Sequence, residues 1–447
     1  MNTTKSNPQA PLSMRRIVQT WWPLAASWLF MATEGPMMSA VVARLAEPEI
    51  NLAAWGGIVF PVALVIEAPI IMLLSASTAL SRDWGSYLKL RRFMMHAGVV
   101  LTILHMLVAF TPLYYVVAVG LIGAPAEIVE PGRLGLMIMT PWAWAIGYRR
   151  FNQGVLIRFG HSRAVGLGTL IRLGAGALVL AIGYLTGTQP GIVVAAGVIA
   201  CGVVCEAIYV GLRVRPVLRD QVRQATSVAQ PLTLRTFLEF YTPLAMMALL
   251  SMLIQPVGSA ALSRMPHAIE SLAAWSVVSS FLFLFRSLGY AYNEVVIALL
   301  DEPHAARSLR RFAAFLVALT TIVLLTIAAT PLATIWFGRI SGLKPELVAL
   351  ARGGLWVALP IPGLTVLLKR YEGAIVHSQR TRPITEAMVI FLLADSALLW
   401  AGVAWGQVAG LYVGLTALVI GLLMQTAWLW RRSRPVVRAL LIRDCGN

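Results

Sequence analysis

Charged residues are scarce in this chain, where they make up 12% of 447 residues, against about 25% in an average soluble domain. Hydrophobic residues reach 58%, and the mean hydropathy is +0.77. Apolar runs of about 18 residues or more recur along the whole length, each long enough to cross roughly 30 Å of hydrocarbon. This composition excludes an ordinary soluble protein and predicts a polytopic membrane protein.

Motifs for catalysis or metal binding are also missing. Of the three cysteines, Cys201 and Cys205 share a helix face, but only Glu206 lies nearby as a further ligand, so close packing explains the pair better than a metal. There is no glycine-rich phosphate loop before a Lys-Ser/Thr, and neither Gly-x-Ser-x-Gly nor His-Glu-x-x-His occurs. We therefore expect no enzyme, no cofactor and no metal.

The apolar runs predict an all-α bundle of about twelve transmembrane helices, six in each half. The predicted spans are 20–44, 52–79, 94–122, 132–157, 164–186, 190–212, 238–263, 272–300, 312–337, 347–368, 384–405 and 408–430.

Acidic residues are outnumbered by basic ones, 19 against 36, for a net charge of +17. The cations gather at alternate ends of the predicted spans, as the positive-inside rule requires, so they do not indicate a nucleic-acid partner. The pattern predicts a plasma (cytoplasmic) membrane protein with both termini in the cytoplasm. Its expected partners are anionic inner-leaflet lipids and a small-molecule substrate, and the expected state is a monomer.

The chain contains a long internal repeat. Residues 23–55 recur at 243–275 without a gap, including two prolines, an arginine and a final Leu-Ala-Ala-Trp. A second block, 139–163, recurs at 358–382. Both halves start on the same side, which predicts two parallel six-helix repeats with the substrate site between them. The predicted units are a disordered N-terminus (1–13), an N-lobe (14–214), a cytoplasmic connector (215–233), a C-lobe (234–433) and a tail (434–447).

Ionisable residues inside apolar spans are costly and are functional candidates by default. Glu34 stands before Gly-Pro in the first span, where Pro36, like Pro256 in the second half, is expected to kink the helix. Glu34, Glu67 and His105 are candidates for binding a coupling ion, although a hydrogen-bonded structural role stays open for Glu34 and His105.

The two copies differ where chemistry is expected. When the two halves are aligned, Glu67 corresponds to Ser287 and Ile66 corresponds to Arg286. Arg286 is an isolated cation that needs an anion, either a protein carboxylate such as Glu67 or Glu294, or an anionic substrate. The substrate-binding candidates are Arg286, Arg172, Glu294 and Asp395, while Arg172 and Asp395 could also be structural.

Two six-helix halves, a proline in each first helix and the Gln-Gly…Gly-His-Ser-Arg stretch after the fourth helix resemble the multidrug and toxic compound extrusion (MATE) superfamily. Within it the chain resembles the progressive ankylosis (ANK) family. The residues that carry this second resemblance are Pro23-Leu24, Glu34, Leu52-Ala53-x-Trp55-Gly56, Pro69, Arg82-Asp83, His105, Leu107-x-Ala109-Phe110, Pro243-Leu244-Ala245, Pro256, Ser263-Arg264 and Glu294.

The resemblance implies a V-shaped pair of lobes that exports its substrate, coupled to protons or sodium through acidic residues of the N-lobe. The ANK family implies an anion such as citrate or a phosphate compound. We therefore expect a secondary transporter, an antiporter-like exporter of a small organic anion or drug-like solute that works by alternating access. The alternative is a flippase for a lipid-linked precursor, and a membrane scaffold is disfavoured by the many intramembrane charges.

Overall fold

The computed structural model describes residues 12–226, 232–378 and 382–445, and within these ranges it consists of helices without strands. The first half contains α1 (Met14–Val42), α2 (Pro48–Leu80), α3 (Trp84–Phe110), α4 (Leu113–Ile122), α5 (Ala126–Ile138), α6 (Trp142–Arg158), α7 (Ser162–Thr186) and α8 (Gly191–Val222).

The second half repeats this order. Its helices are α9 (Leu234–Leu262), α10 (Ala268–Leu299), α11 (Ala305–Ala329), α12 (332–340), α13 (Pro345–Ala358), α14 (Pro360–His377), α15 (Arg382–Trp405) and α16 (Gly410–Cys445). Residues 1–11 of the predicted disordered N-terminus lie outside the described residues.

The backbone itself follows the repeat. Ser13 and Thr233, 220 residues apart in sequence, cap α1 and α9 by accepting the backbone N–H three residues later. Glu47 and His267, also 220 residues apart, take left-handed φ values of 47° and 54° at the starts of α2 and α10. The duplication therefore extends from sequence to the local geometry of the helix ends.

Proline shortens several predicted spans. The predicted helix 94–122 ends at Phe110, because Pro112 starts the separate helix α4. The predicted helix 132–157 is divided into α5 and α6 just before Pro141. In the second half, 312–337 ends early at Ala329, before Pro331, and 347–368 becomes α13 and α14, which are bent by 41° at Pro360.

Nine described helices, or ten if the bent pair α13–α14 is one span, are long and apolar enough to cross a membrane. The predicted set of twelve is completed by α1 and the pair α5–α6, whose repeat equivalents α9 and α13–α14 are among those ten. Glu34, Gly35 and Pro36 interrupt the apolar run of α1, whereas α5 and α6 are only 13 and 17 residues long and carry Arg133, Arg149 and Arg150. The all-α polytopic fold class is confirmed.

The first helix of each half crosses between the lobes. Where α1 begins, Trp21 packs on Phe312 of α11 with ring centroids 5.5 Å apart and donates from Nε1 to Leu288 O at 3.2 Å. Tyr241, its repeat equivalent in α9, donates its hydroxyl to Pro69 O in the first half at 2.5 Å. The beginning of each first helix therefore packs on the opposite half.

The last turn of each first helix also contacts its own half. Val42 and Leu262 contact Gly191 and Gly410, the first residues of α8 and α16. We call the end of the bundle where α1 and α9 begin the near end, and the end where they finish the far end. Because α1 and α9 belong to both lobes, the two halves share one continuous core at their seam.

Candidate functional site

A cluster of ion pairs lies between four helices of the first half, and we call it the N-half cluster. Arg172 of α7 donates from Nη2 to Glu34 Oε2 of α1 at 2.9 Å, and both side chains are 14% exposed. Arg149 of α6 donates from Nη1 to Glu206 Oε2 of α8 at 2.5 Å. Gln153 donates from Nε2 to Glu206 Oε1 at 2.9 Å. Both oxygens of the fully buried Glu206 are therefore occupied.

Glycines provide the space for this cluster. A Cβ at Gly168 of α7 would lie 3.4 Å from Glu206 Cγ, and a Cβ at Gly202 of α8 would lie 3.0 Å from Arg172 Cγ. Small residues let neighbouring helices approach closely in a membrane. Here they let long charged side chains lie between α7 and α8 and reach partners on α1 and α6.

Glu67 extends the N-half cluster on α2. Its side chain is 2% exposed, and Oε2 has no hydrogen-bond partner. Arg150 and Arg149 are the cations whose charge acts on it, and Arg150 likewise has a buried Nε without a partner. Three glutamates and three arginines thus balance in formal charge, with Glu67 the least firmly bonded of the glutamates.

Sequence reasoning missed Arg149, Arg150 and Gln153. Gln153 and Gly154 lie inside α6, where Gln153 is 3% exposed. The signal was present in the repeat, where Leu368 replaces Arg149. A comparison of the halves at this helix would have found the extra cation.

Arg286 of α10 lies one turn before Tyr290, whose ring stacks on Trp28 of the first half. Arg286 donates from Nη2 to the hydroxyl of Tyr290 at 3.2 Å, and its Nε is buried without a partner. Neither Glu67 nor Glu294 forms an ion pair with it, and no other described carboxylate does. Arg286 differs in this respect from Arg172 and Arg149.

Aromatic and cationic groups surround Tyr290. Trp28 of α1 stacks on its ring at a centroid distance of 5.3 Å and an angle of 26°. Lys369 Nζ of α14 lies 5.1 Å from the ring centroid and also pairs with Glu372 at 2.6 Å. A cluster at the seam, formed by Arg286, Tyr290, Trp28 and Lys369, thus combines two cations with two flat rings; we call it the seam cluster.

Among the described residues, no ion pair or hydrogen bond joins the other three candidates to Arg286. Glu294 is exposed and accepts a hydrogen bond from Trp28 Nε1 at 3.3 Å. Asp395 of α15 is 4% exposed and has no ion pair among the described residues. His105 is 1% exposed and is hydrogen-bonded through Nε2 to Leu136 O at 2.8 Å, a carbonyl freed by the end of α5. That contact places His105 in packing between α3 and α5.

Both prolines named as kink positions lie inside continuous helices. Pro36 lies within α1 and Pro256 within α9. Next to Pro36, a Cβ at Gly35 would lie 2.7 Å from Ser280 Cβ of α10. Glu34 of the N-half cluster is therefore the direct sequence neighbour of Gly35, which packs against α10 of the other half.

The fold is similar to that of solved membrane transporters. A multidrug resistance MATE family transporter of the MOP superfamily in an inward-facing conformation matches with TM-score 0.70, 15% identity, and coverage of 95% of this chain and 98% of that chain. The lipid II flippase MurJ in an inward closed conformation matches with TM-score 0.69, 14% identity, and coverage of 95% and 91%.

An outward-facing MATE family transporter matches with TM-score 0.62, 16% identity, and coverage of 95% and 96%. No family model and no curated protein sequence matches the chain. The predicted MATE-like fold is confirmed by the structural likeness, whereas the finer resemblance to the ANK family stays a prediction. The chain is thus a multi-helix membrane protein whose fold is like that of the solved MATE family transporter and of MurJ.

Proposed function

We propose that this protein is a secondary transporter that alternates access between its two halves and moves an anionic cargo. The observation that carries the proposal is Arg286, a cation at the seam whose polar partner is a neutral phenol. The fold supports the same class, because its structural neighbours are described as a multidrug resistance transporter and a lipid II flippase.

An intramembrane arginine costs about 2.5–3.5 kcal/mol on insertion scales unless it has a partner. Arg172 and Arg149 have carboxylate partners at 2.9 and 2.5 Å. For Arg286 an anionic cargo would supply the missing charge, whereas the nearby Lys369 of the seam cluster is already paired with Glu372. The rings of Trp28 and Tyr290 would provide flat apolar contact. A citrate-like or phosphate-like cargo is the class expected from the ANK resemblance.

We further propose that a proton is the coupling ion and that Glu67 carries it. Glu34 also has an oxygen without a partner, Oε1, but its Oε2 bonds Arg172, so a proton or sodium ion there would compete with an existing ion pair. Glu67 is buried and has a free oxygen, so it can accept a proton without breaking an ion pair. Export is the transport direction that the resemblance to MATE proteins implies.

Transport by purified protein in liposomes tests the cargo. We expect Arg286→Ala to reduce uptake of citrate or pyrophosphate about tenfold or more, since a hydrogen bond to a charged group contributes roughly 1.5–3 kcal/mol. Arg286→Lys should retain part of the activity. The control is Arg310→Ala, which removes an exposed cation of the same half. Unchanged anion uptake in Arg286→Ala, or equal loss for a cationic dye, would refute the role.

The second candidate is a flippase for a lipid-linked precursor, favoured by the likeness to the lipid II flippase over 95% of this chain. Arg286 would then bind a lipid diphosphate rather than a soluble anion. A polyprenyl diphosphate flipping assay in the same liposomes separates the two functions. Flipping that depends on Arg286, without uptake of citrate or pyrophosphate, would establish the flippase.

A further inference from the structure

Two arginines at the far end reach from one half of the molecule to the other. Arg44 and Arg264 are repeat equivalents, 220 residues apart, and each directly follows the end of a first helix, α1 or α9. Each also donates from Nη1 to a carbonyl of its own helix four residues earlier, Ala40 at 2.5 Å and Ala260 at 2.7 Å. That internal bond fixes the direction of the guanidinium.

The remaining donors of Arg264 bond to the first half. Nη1 donates to Ile122 O at 2.6 Å, and Nη2 donates to Leu121 O at 2.9 Å. These carbonyls belong to the last turn of α4, which has no intrahelical donors for them. A cation at the C-terminal end of a helix is favourable, because the partial negative charge of the helix lies there.

Arg44 makes the reciprocal contact. Its Nη2 donates to Arg339 O at 2.5 Å, at the end of α12 in the second half. Each arginine thus bonds the end of a helix in the opposite half, and these two helices, α4 and α12, are repeat equivalents.

A glycine after each helix makes this approach possible. Gly123 and Gly342 have φ of 71° and 73°, left-handed values that turn the chain away after α4 and α12. A Cβ at Gly123 would lie 2.9 Å from Arg264 Cζ, and a Cβ at Gly342 would lie 2.9 Å from Arg44 Nη1. A side chain at either position would therefore collide with the arginine from the other half.

We propose that Arg44 and Arg264 form a two-part latch that holds the far end of the lobes closed. The inference rests on alternating access, as in the proposed function, but not on any particular cargo. The acceptors are neutral backbone carbonyls, so the latch works without a carboxylate and its strength does not depend on acceptor protonation. The far end can open only when both arginines have released the helix ends of the opposite half.

Spin-label distances across the far end test the latch. Labels go on Glu127→Cys and Glu346→Cys, repeat-equivalent exposed positions on α5 and α13, in a chain whose native cysteines are replaced by serine. We expect Arg44→Met or Arg264→Met to raise the population of wide distances about two- to tenfold, the range for exposed to charge-assisted bonds. The double variant should raise it roughly by the product of the two factors.

The matched control is Arg133→Met. Arg133 also donates to helix-end carbonyls, Ala109 O and Phe110 O, each at 3.2 Å, but these lie in its own half. We expect no widening in this variant. Equal widening in Arg133→Met, or no widening in either latch variant, would overturn the proposal.

A second pair of variants separates the latch from general backbone strain. Gly342→Ala should widen the far end, because its Cβ would meet Arg44. Gly160→Ala introduces alanine at φ 82° with nothing within 4 Å, so it carries the strain alone. Equal widening in both would contradict the latch. The spin-label distances are measured without cargo. If the latch variants widen the far end as expected but the protein transports no anion, only the proposed function is refuted.

Discussion

Individual charged residues in the spans fall into two groups according to their partners. Glu206 and Arg149 satisfy each other deep in the bundle, and removal of one partner from such a buried pair typically costs about 3–5 kcal/mol. Glu67 and Arg286 form no ion pair with another described residue. A group in an ion pair is suited to fix the helices in place, whereas a buried charge without an ion pair can bind a proton or a cargo.

We expect the residues in ion pairs to contribute to stability and the residues without an ion pair to act in proton coupling or cargo binding. Glu67→Gln should remove the acceleration of transport by a proton gradient while downhill transport continues, because glutamine keeps the shape but cannot take up the proton. Transport with and without a pH gradient across the liposome membrane measures this. Glu239→Gln, in an exposed pair with Arg235, is the control. If the gradient still drives Glu67→Gln but not Glu34→Gln, coupling belongs to Glu34.

Helices α1 and α10 meet along small residues at the seam. Gly35 approaches Ser280, and Gly56 at the start of α2 approaches Ser276 of α10, where a Cβ would lie 3.0 Å from Ser276 Cβ. Close backbone approach adds van der Waals contact, which drives helix association in lipid. The seam therefore requires small side chains on both sides.

Gly35→Ala is expected to destabilise the closed seam by about 1–3 kcal/mol, the usual cost of overpacking, since the new Cβ would lie 2.7 Å from Ser280 Cβ. Thermal unfolding in detergent measures the change, and Ser280→Gly should restore stability. Gly258→Ala, within α9 and with nothing within 4 Å, should instead be neutral or stabilising by up to about 1 kcal/mol. Equal effects of the two alanines would contradict tight packing at the seam.

The whole molecule consists of two halves, and at the near end the first helix of each half packs on the opposite half. Trp21 and Tyr241 each hydrogen-bond a backbone carbonyl of the opposite half, at 3.2 and 2.5 Å. Arg44 and Arg264 do the same at the far end. Opening of the halves at either end therefore has to break the reciprocal contacts at that end.

Tyr241→Phe removes one near-end contact with little change in shape. We expect the population of molecules with wide near-end distances to rise several-fold. A hydrogen bond contributes about 0.5–1.5 kcal/mol, equivalent to roughly 2–12-fold in this population. Spin labels placed across the near end measure it. The control Tyr292→Phe loses a hydroxyl bond to Leu309 O at 2.7 Å within one half. Should both variants widen the near end alike, the packing of each first helix on the opposite half would not control opening.

Much of the architecture could be read from the chain. Long apolar runs and the repeat predicted an all-helical bundle in two equivalent halves, because hydrocarbon length and backbone hydrogen bonding leave few alternatives. Helix ends were less predictable. Pro112 and Pro141 divide runs whose apolar character is unbroken, so hydropathy alone placed the boundaries wrongly.

The candidate site was predicted only in part. Glu34 and Arg172 were named separately, and the structure brings them together at 2.9 Å, whereas Arg149 and Gln153 were missed. A single span shows that a charge is buried but not which other span faces it, since partners such as Arg172 and Glu34 are 138 residues apart.

The sequence by itself determined the membrane class, the duplication and the positions of the buried charges, because these follow from local composition and from residues matched within the chain. Only the tertiary structure decided which charges are paired and which are not, and that each first helix bonds to the opposite half. The physical reason is that these contacts depend on packing between helices distant in sequence. Such packing is set by glycines and helix ends whose effect appears only when both surfaces are in place.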